Sequence, residues 1–127
     1  TSIVELKAAE DETTQQLTKL ESEKLLNQLL DLDDNEEEFS KDTLELFQRA
    51  YDQARIYYEQ GRYQDALPLL NELDYFVDDY PLWLPTSWGK LCSEILLGKF
   101  EKARDSVKRL KYKIDTYVRS VLNAAIP

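Results

Sequence analysis

Histidine and methionine are absent from the 127 residues, and cysteine occurs once, as Cys92. Without histidine, imidazole acid–base catalysis, Ser-His and Cys-His nucleophile pairs and Cys/His zinc sites are excluded. One cysteine rules out an intrachain disulfide, and its rarity beside eight tyrosines fits a reducing compartment. Three glycines and four prolines are too little punctuation for a hairpin-rich all-β fold. No apolar run approaches the ~20 residues of a membrane helix, and no signal-peptide pattern opens the chain. With Thr1 first and no methionine anywhere, the sequence reads as a segment of a longer protein.

What is present is 43% hydrophobic and 32% charged, the balance of a soluble chain with a core. The net charge of −9 is unevenly spread: residues 1–42 carry −9, residues 43–86 carry −5, and residues 87–127 carry +5. Overall acidity argues against autonomous nucleic-acid binding, which needs clustered Lys and Arg. The basic C-terminal third keeps a local contact with RNA, or with an acidic protein partner, among the candidates.

From Ser2 to about Leu30 helix formers dominate, without glycine or proline. Ile3, Val4 and Leu6 are followed by a polar gap, then by Leu17, Leu20, Leu25, Leu26, Leu29 and Leu30. The spacing predicts a long acidic helix whose N-terminal turns have no core to join, either a solvated connector or one strand of a coiled coil. An acidic breaker, Asp31 to Glu38, follows. Asp31, Asp33 and Asn35 match a calcium loop, with Asp42 at its twelfth position. Glu36 stands where the turn needs glycine and Asp42 where it needs glutamate, so the segment reads as a solvated loop.

Two helical hairpins are expected next. Leu46, Phe47, Ala50, Tyr51, Ala54, Tyr57 and Tyr58 share one helix face behind Ser40 or Asp42 as N-cap, and Gly61 ends that helix. Tyr63, Ala66, Leu69, Leu70, Leu73 and Phe76 mark the second helix, with a start near Asp65 because Pro68 is costly deeper inside. Pro81 and Pro85 are expected to bracket a loop holding Trp83. Trp88, Leu91, Cys92, Ile95 and Leu96 form the next face, closed by Gly98. A last stripe runs Phe100, Ala103, Val107, Leu110, Ile114, Tyr117, Val121, as one long helix or with a break near Asp115.

The strongest internal signal is a repeat. Gly61, Tyr63, Ala66, Leu70 and Leu73 recur 37 residues later as Gly98, Phe100, Ala103, Val107 and Leu110. Glycine supplies the positive φ that closes a helix, and alanine lets two helices approach closely. The aromatic is expected to plug the hairpin's open end, and the aliphatics to stack on the neighbouring hairpin. Ala54, Tyr57, Gly61, Tyr63, Ala66 and Leu70 match the tetratricopeptide spacing; in the second copy Glu94 replaces Tyr57 and the period exceeds 34. Two hairpins leave unburied end faces, so a scaffold or adaptor role is the default.

The string Trp88-Gly89-Lys90-Leu91-Cys92-Ser93-Glu94-Ile95-Leu96 resembles a hallmark of the E subunit of the eukaryotic translation initiation factor 3 complex. Phe100-Glu101-Lys102-Ala103 and Arg109-Leu110-Lys111 follow it as in that family. Tyr57-Tyr58-Glu59-Gln60-Gly61-Arg62-Tyr63 is similar to the family's Tyr-Glu-x-Gly-x-Tyr hairpin. The resemblance covers roughly residues 43–115. It implies the helical-repeat part of a PCI-type subunit, with a winged helix after Pro127. Its partners would be sister subunits of initiation factor 3 and the small ribosomal subunit, in the cytoplasm. It implies no catalytic residue, cofactor, metal, membrane or small-molecule substrate.

The reading is therefore all-α, right-handed helical-repeat hairpins of tetratricopeptide or HEAT type, preceded by a long acidic helix. Residues 1–39 form the acidic helix and loop, and residues 40–127 the two hairpins. The packing set is Ala54, Tyr57, Gly61, Tyr63, Ala66 and Leu70 in the first repeat. In the second it is Trp88, Leu91, Gly98, Phe100, Ala103, Val107 and Leu110, with Ile95 and Cys92 on the same buried face. Trp83 either packs back or marks a contact. Lys99, Lys102, Lys108, Arg109, Lys111 and Lys113 are either a solvated basic face or a contact for ribosomal RNA or an acidic sister subunit. The alternatives are a PCI-type subunit of the proteasome lid or signalosome, and a stand-alone tetratricopeptide adaptor gripping a peptide.

Overall fold

The computed structural model describes residues 2–32, 40–76 and 82–125. Among these, five helices and no strands are found: α1 (Ile3–Leu30), α2 (Lys41–Glu59), α3 (Tyr63–Phe76), α4 (Trp83–Leu96) and α5 (Phe100–Ala125). Three of the positions compared with a calcium loop, Asp33, Asn35 and Glu36, lie outside the described residues, as does Pro81.

Helix α1 starts at Ser2, whose Oγ accepts the Glu5 N–H at 3.2 Å. Ile3, Val4, Leu6, Leu17 and Leu20 are exposed, and the helix gains a core only in its last two turns. There Leu29 is fully buried, and Leu25, Leu26 and Leu32 pack beside it on α2 and α3. The acidic N-terminal turns thus project without apolar contact, as their thin stripe predicts.

The two hairpins turn in the same way, which is the physical content of the 37-residue repeat. Ser40, of the two candidate caps, caps α2 by accepting the Thr43 N–H. At its other end the Arg62 N–H donates to the Tyr57 carbonyl at 2.8 Å and the Gly61 N–H to Tyr58 at 3.0 Å. Thirty-seven residues on, the Lys99 N–H donates to the Glu94 carbonyl at 2.8 Å and the Gly98 N–H to Ile95 at 3.0 Å. These paired bonds define a glycine-terminated helix end, and Gly61 and Gly98 hold φ of 73° and 74° to make it. Ala66 and Ala103 are buried, as the close approach of helices requires. Ala66→Leu would force a larger side chain into a fully covered position. A loss of about 1–3 kcal/mol is expected in thermal or denaturant melts, and an unchanged midpoint would disprove this register.

The main core lies where α1, α2 and α3 meet. It joins Leu29, Phe47, Ala50, Ala54, Tyr57, Leu69 and Leu73, and Phe47 stacks on Phe76 with ring centroids 6.0 Å apart. Arg62 spreads its guanidinium over the Tyr57 ring, 4.6 Å from the centroid, sealing that end of the hairpin. Tyr63 meets Tyr58 edge-on at 5.3 Å. A smaller cluster of Leu91, Ala103 and Leu110 joins α4 to α5, and Trp83 bridges the two clusters.

Several expectations are corrected. Helix α3 begins at Tyr63, not near Asp65, so Pro68 is its sixth residue. Pro68 and Gln64 are both exposed, and water can satisfy the Gln64 carbonyl that the proline leaves without a helical donor. Trp83 and Pro85 do not lie in a loop; they are the first and third residues of α4, in the turn where a proline's missing N–H costs nothing. Of the two alternatives for the last stripe, the single long helix holds, since α5 is continuous past Asp115.

The second repeat is also less covered than the first. Leu91 and Leu110 are buried, but Trp88, Ile95, Phe100 and Val107 are exposed, and Cys92 is half-buried. Phe100 therefore does not plug its hairpin as Tyr63 does. The cause lies in α4, which buries its small polar stripe, Thr86, Ser87, Ser93 and Glu94, and turns its bulky apolar face outward.

Candidate functional site

Burying the polar side of α4 sets two buried carboxylates between helices. Asp74, near the end of α3, accepts from the Ser87 hydroxyl of α4. On its other side it meets two cations of α5, Lys113 at 3.3 Å and Arg109 at 3.4 Å. One carboxylate thus ties three helices together. Glu94 of α4 accepts from Ser106 of α5, and Lys90, one turn earlier, donates to the same Ser106 hydroxyl at 3.0 Å. Lys90 also lies 3.8 Å from Glu94. Sequence reasoning missed both ties. The signal available was Thr86, Ser87, Lys90, Ser93 and Glu94 recurring at helical spacing, opposite Trp88 and Ile95.

The six basic candidates divide on this geometry. Lys99, Lys102, Lys108 and Lys111 are exposed. Arg109 is half-exposed, and Lys113 is mostly covered, with its ammonium against Asp74. Lys113 and Arg109 thus help to hold the fold, and reversing either would set a carboxylate against Asp74. A test of partner binding therefore belongs on Lys102, Lys108 and Lys111.

Helix α5 presents two different surfaces from Val107 onward. Val107, Ile114, Val118 and Val121 form an exposed apolar stripe that continues into a groove with Trp88 and Leu91. Next to it run Lys108, Arg109, Tyr112, Lys113, Thr116 and Tyr117 at four-residue steps, and these line an open cleft of about 670 Å³ bordered by Trp83. The Trp83 and Tyr117 rings are 5.9 Å apart, so Trp83 packs back on the hairpin while bordering this cleft.

On the other side of α4, the half-buried Cys92 lies near Tyr58 of α2. Burial first, and then the neighbouring thiol, push the Tyr58 phenol up from its ordinary value. Among the described residues no cluster of three metal-ligating side chains is found. No described helix is long and apolar enough to cross a membrane.

An all-helical repeat with open faces and a Trp-Gly-Lys-Leu string on its fourth helix can be compared with known proteins. The chain is similar to the E subunit of eukaryotic translation initiation factor 3. The protein from Emericella nidulans is 35% identical over 74 residues, which cover 58% of this chain and 16% of the relative. Those from Aspergillus terreus and Pyricularia oryzae are 35% and 34% identical over the same length, each match covering 58% of this chain and 17% of the relative. The match to this chain thus takes in about a sixth of the length of these curated relatives. No family model and no solved structure matches. The Trp88–Leu96 string and these curated relatives thus point to the same initiation factor 3 component.

Proposed function

We propose that this chain is part of a non-catalytic scaffold subunit of translation initiation factor 3, acting in the cytoplasm. The observation that carries the proposal is the similarity to the E subunit from several fungi, on a chain whose fold leaves apolar helix faces exposed at both ends. Large exposed apolar stripes on a helical repeat suit docking against other helices. The stripe of Val107, Ile114, Val118 and Val121 and the projecting turns of α1 are the surfaces proposed to meet sister subunits. The exposed basic residues of α5 are proposed to face the small ribosomal subunit, including its RNA. Residues 40–127 belong, in this reading, to a PCI-type helical domain.

The test is affinity purification of the tagged full-length protein from cytoplasm, read by mass spectrometry. Recovery of initiation factor 3 subunits together with small-subunit ribosomal proteins is expected. Recovery of proteasome-lid or signalosome subunits instead would keep a scaffold and discard the translation role. Binding of a short peptide alone would favour the tetratricopeptide adaptor.

A further inference from the structure

The cleft beside Trp83 has a composition that packing does not require. Tyr112 is 73% exposed in mid-helix and Tyr117 57% exposed, so neither ring is a core residue. Both line the cleft with Trp83, which gives three aromatic rings on one wall system. Three cations, Lys108, Arg109 and Lys113, line the same cleft, and among the described residues no carboxylate does. Asp74 lies behind Arg109 and Lys113 and pairs with both, while Lys108 is exposed to solvent, so cations predominate among the described residues of the cleft in a protein of net charge −9. Thr116 and Ser120 add hydroxyls along the floor.

We propose that this cleft binds unpaired nucleotides of a single-stranded RNA. Exposed aromatic rings interleaved with cations form the platform on which single-strand binders stack bases and track phosphates. The volume, about 670 Å³, lies within the ~300–1,000 Å³ of ligand sites and has room for a base against Tyr112 or Tyr117. The exposed Lys108 and the half-exposed Arg109 are placed for the phosphates. The Ser120 hydroxyl can exchange hydrogen bonds with ribose, and the Thr116 hydroxyl, which donates to the Tyr112 carbonyl, can accept one. A phosphorylated peptide would use the cations equally well, but it would leave the exposed rings without a role. The inference narrows the ribosomal-RNA part of the proposed function to one cleft and rests on that part alone.

The experiment is fluorescence anisotropy of a labelled oligouridylate, about ten nucleotides long, titrated with the full chain at several salt concentrations. Binding that weakens between about 50 and 200 mM salt is expected. Tyr112→Ala should weaken it roughly tenfold without moving the melting temperature, because this exposed ring supports no packing. Lys108→Gln should weaken it and flatten the salt dependence by about one charge. Lys41→Gln, exposed in the first turn of α2 and outside the cleft, should leave it unchanged.

Four results would each overturn the proposal: no binding to the unpaired strand; equal affinity for the duplex of the same sequence; Tyr112→Ala without effect; or displacement of the RNA by a phosphoserine peptide at lower concentration. If Tyr112→Ala loses RNA but still co-purifies with initiation factor 3 subunits, the cleft and the subunit interfaces are separate. Loss of that co-purification in the unmutated protein would overturn the scaffold reading and leave the RNA result standing.

Discussion

Replacing Phe47 by alanine is expected to lower the unfolding free energy by about 3–5 kcal/mol, the range for a large aromatic in a closed core. Phe47 is fully buried at the junction of α1, α2 and α3 and stacks on Phe76. Its removal subtracts the apolar area of the ring and opens a void beside Leu29 and Leu73 that backbone helices cannot quickly fill. Small domains hold about 5–15 kcal/mol in all, so the variant should melt at a much lower temperature. Circular dichroism melts would measure this. Because α1 is anchored by the same core, amide exchange in residues 25–30 should rise together with that in α2. A loss below about 1 kcal/mol would mean that the three helices do not share one core.

The second large effect is expected at Asp74. Asp74→Ala takes the buried carboxylate away from the largely covered Lys113 ammonium and removes the acceptor of Ser87, so α3, α4 and α5 lose a common tie. Breaking a buried pair from one side costs about 3–5 kcal/mol; the partial access of Lys113 to water places the expected loss near the bottom of that range. Arg109→Ala, at a partner half-open to solvent, should cost less than about 1 kcal/mol. A double-mutant cycle between Asp74→Ala and Lys113→Ala isolates the pair, since the second change should cost much less once the first is made. Strict additivity would show that the two groups do not interact.

How far the sequence revealed this depended on whether a position answers to backbone geometry or to its neighbours. Gly61 and Gly98 were legible because a helix end with positive φ selects glycine, and the same two hydrogen bonds form at each. Ser40 was legible as a cap because its hydroxyl satisfies a donor that every helix start leaves open. The orientation of α4 was not. Its apolar residues suggested a core face, yet Asp74 and Ser106 on neighbouring helices supply partners for Ser87 and Glu94, and that pairing turns the polar stripe inward. Trp88 and Ile95 were placed inside for want of this information, and Phe100 by its repeat match to Tyr63, whose ring meets Tyr58 in the structure.

The candidate site was half visible. The basic set on α5 could be counted from the sequence, but its division into structural cations, Arg109 and Lys113, and exposed ones depends on Asp74 from 35 or more positions away. Tyr112 and Tyr117 drew no attention as a pair, because α5 looked like a single apolar stripe. The helix carries two surfaces side by side, and only the arrangement of Trp83 against Tyr117 reveals the second.

The most direct measurement is sedimentation of cytoplasmic extract through a density gradient, following the tagged full-length protein beside a variant with Ile114→Glu and Val121→Glu. Both substitutions fall on exposed positions of α5, so the fold should persist. The unmodified protein is expected in the fractions of the small ribosomal subunit with initiation factor 3, and the variant near the top of the gradient. An unmodified protein that stays at the top, free of both, would contradict the assembly role.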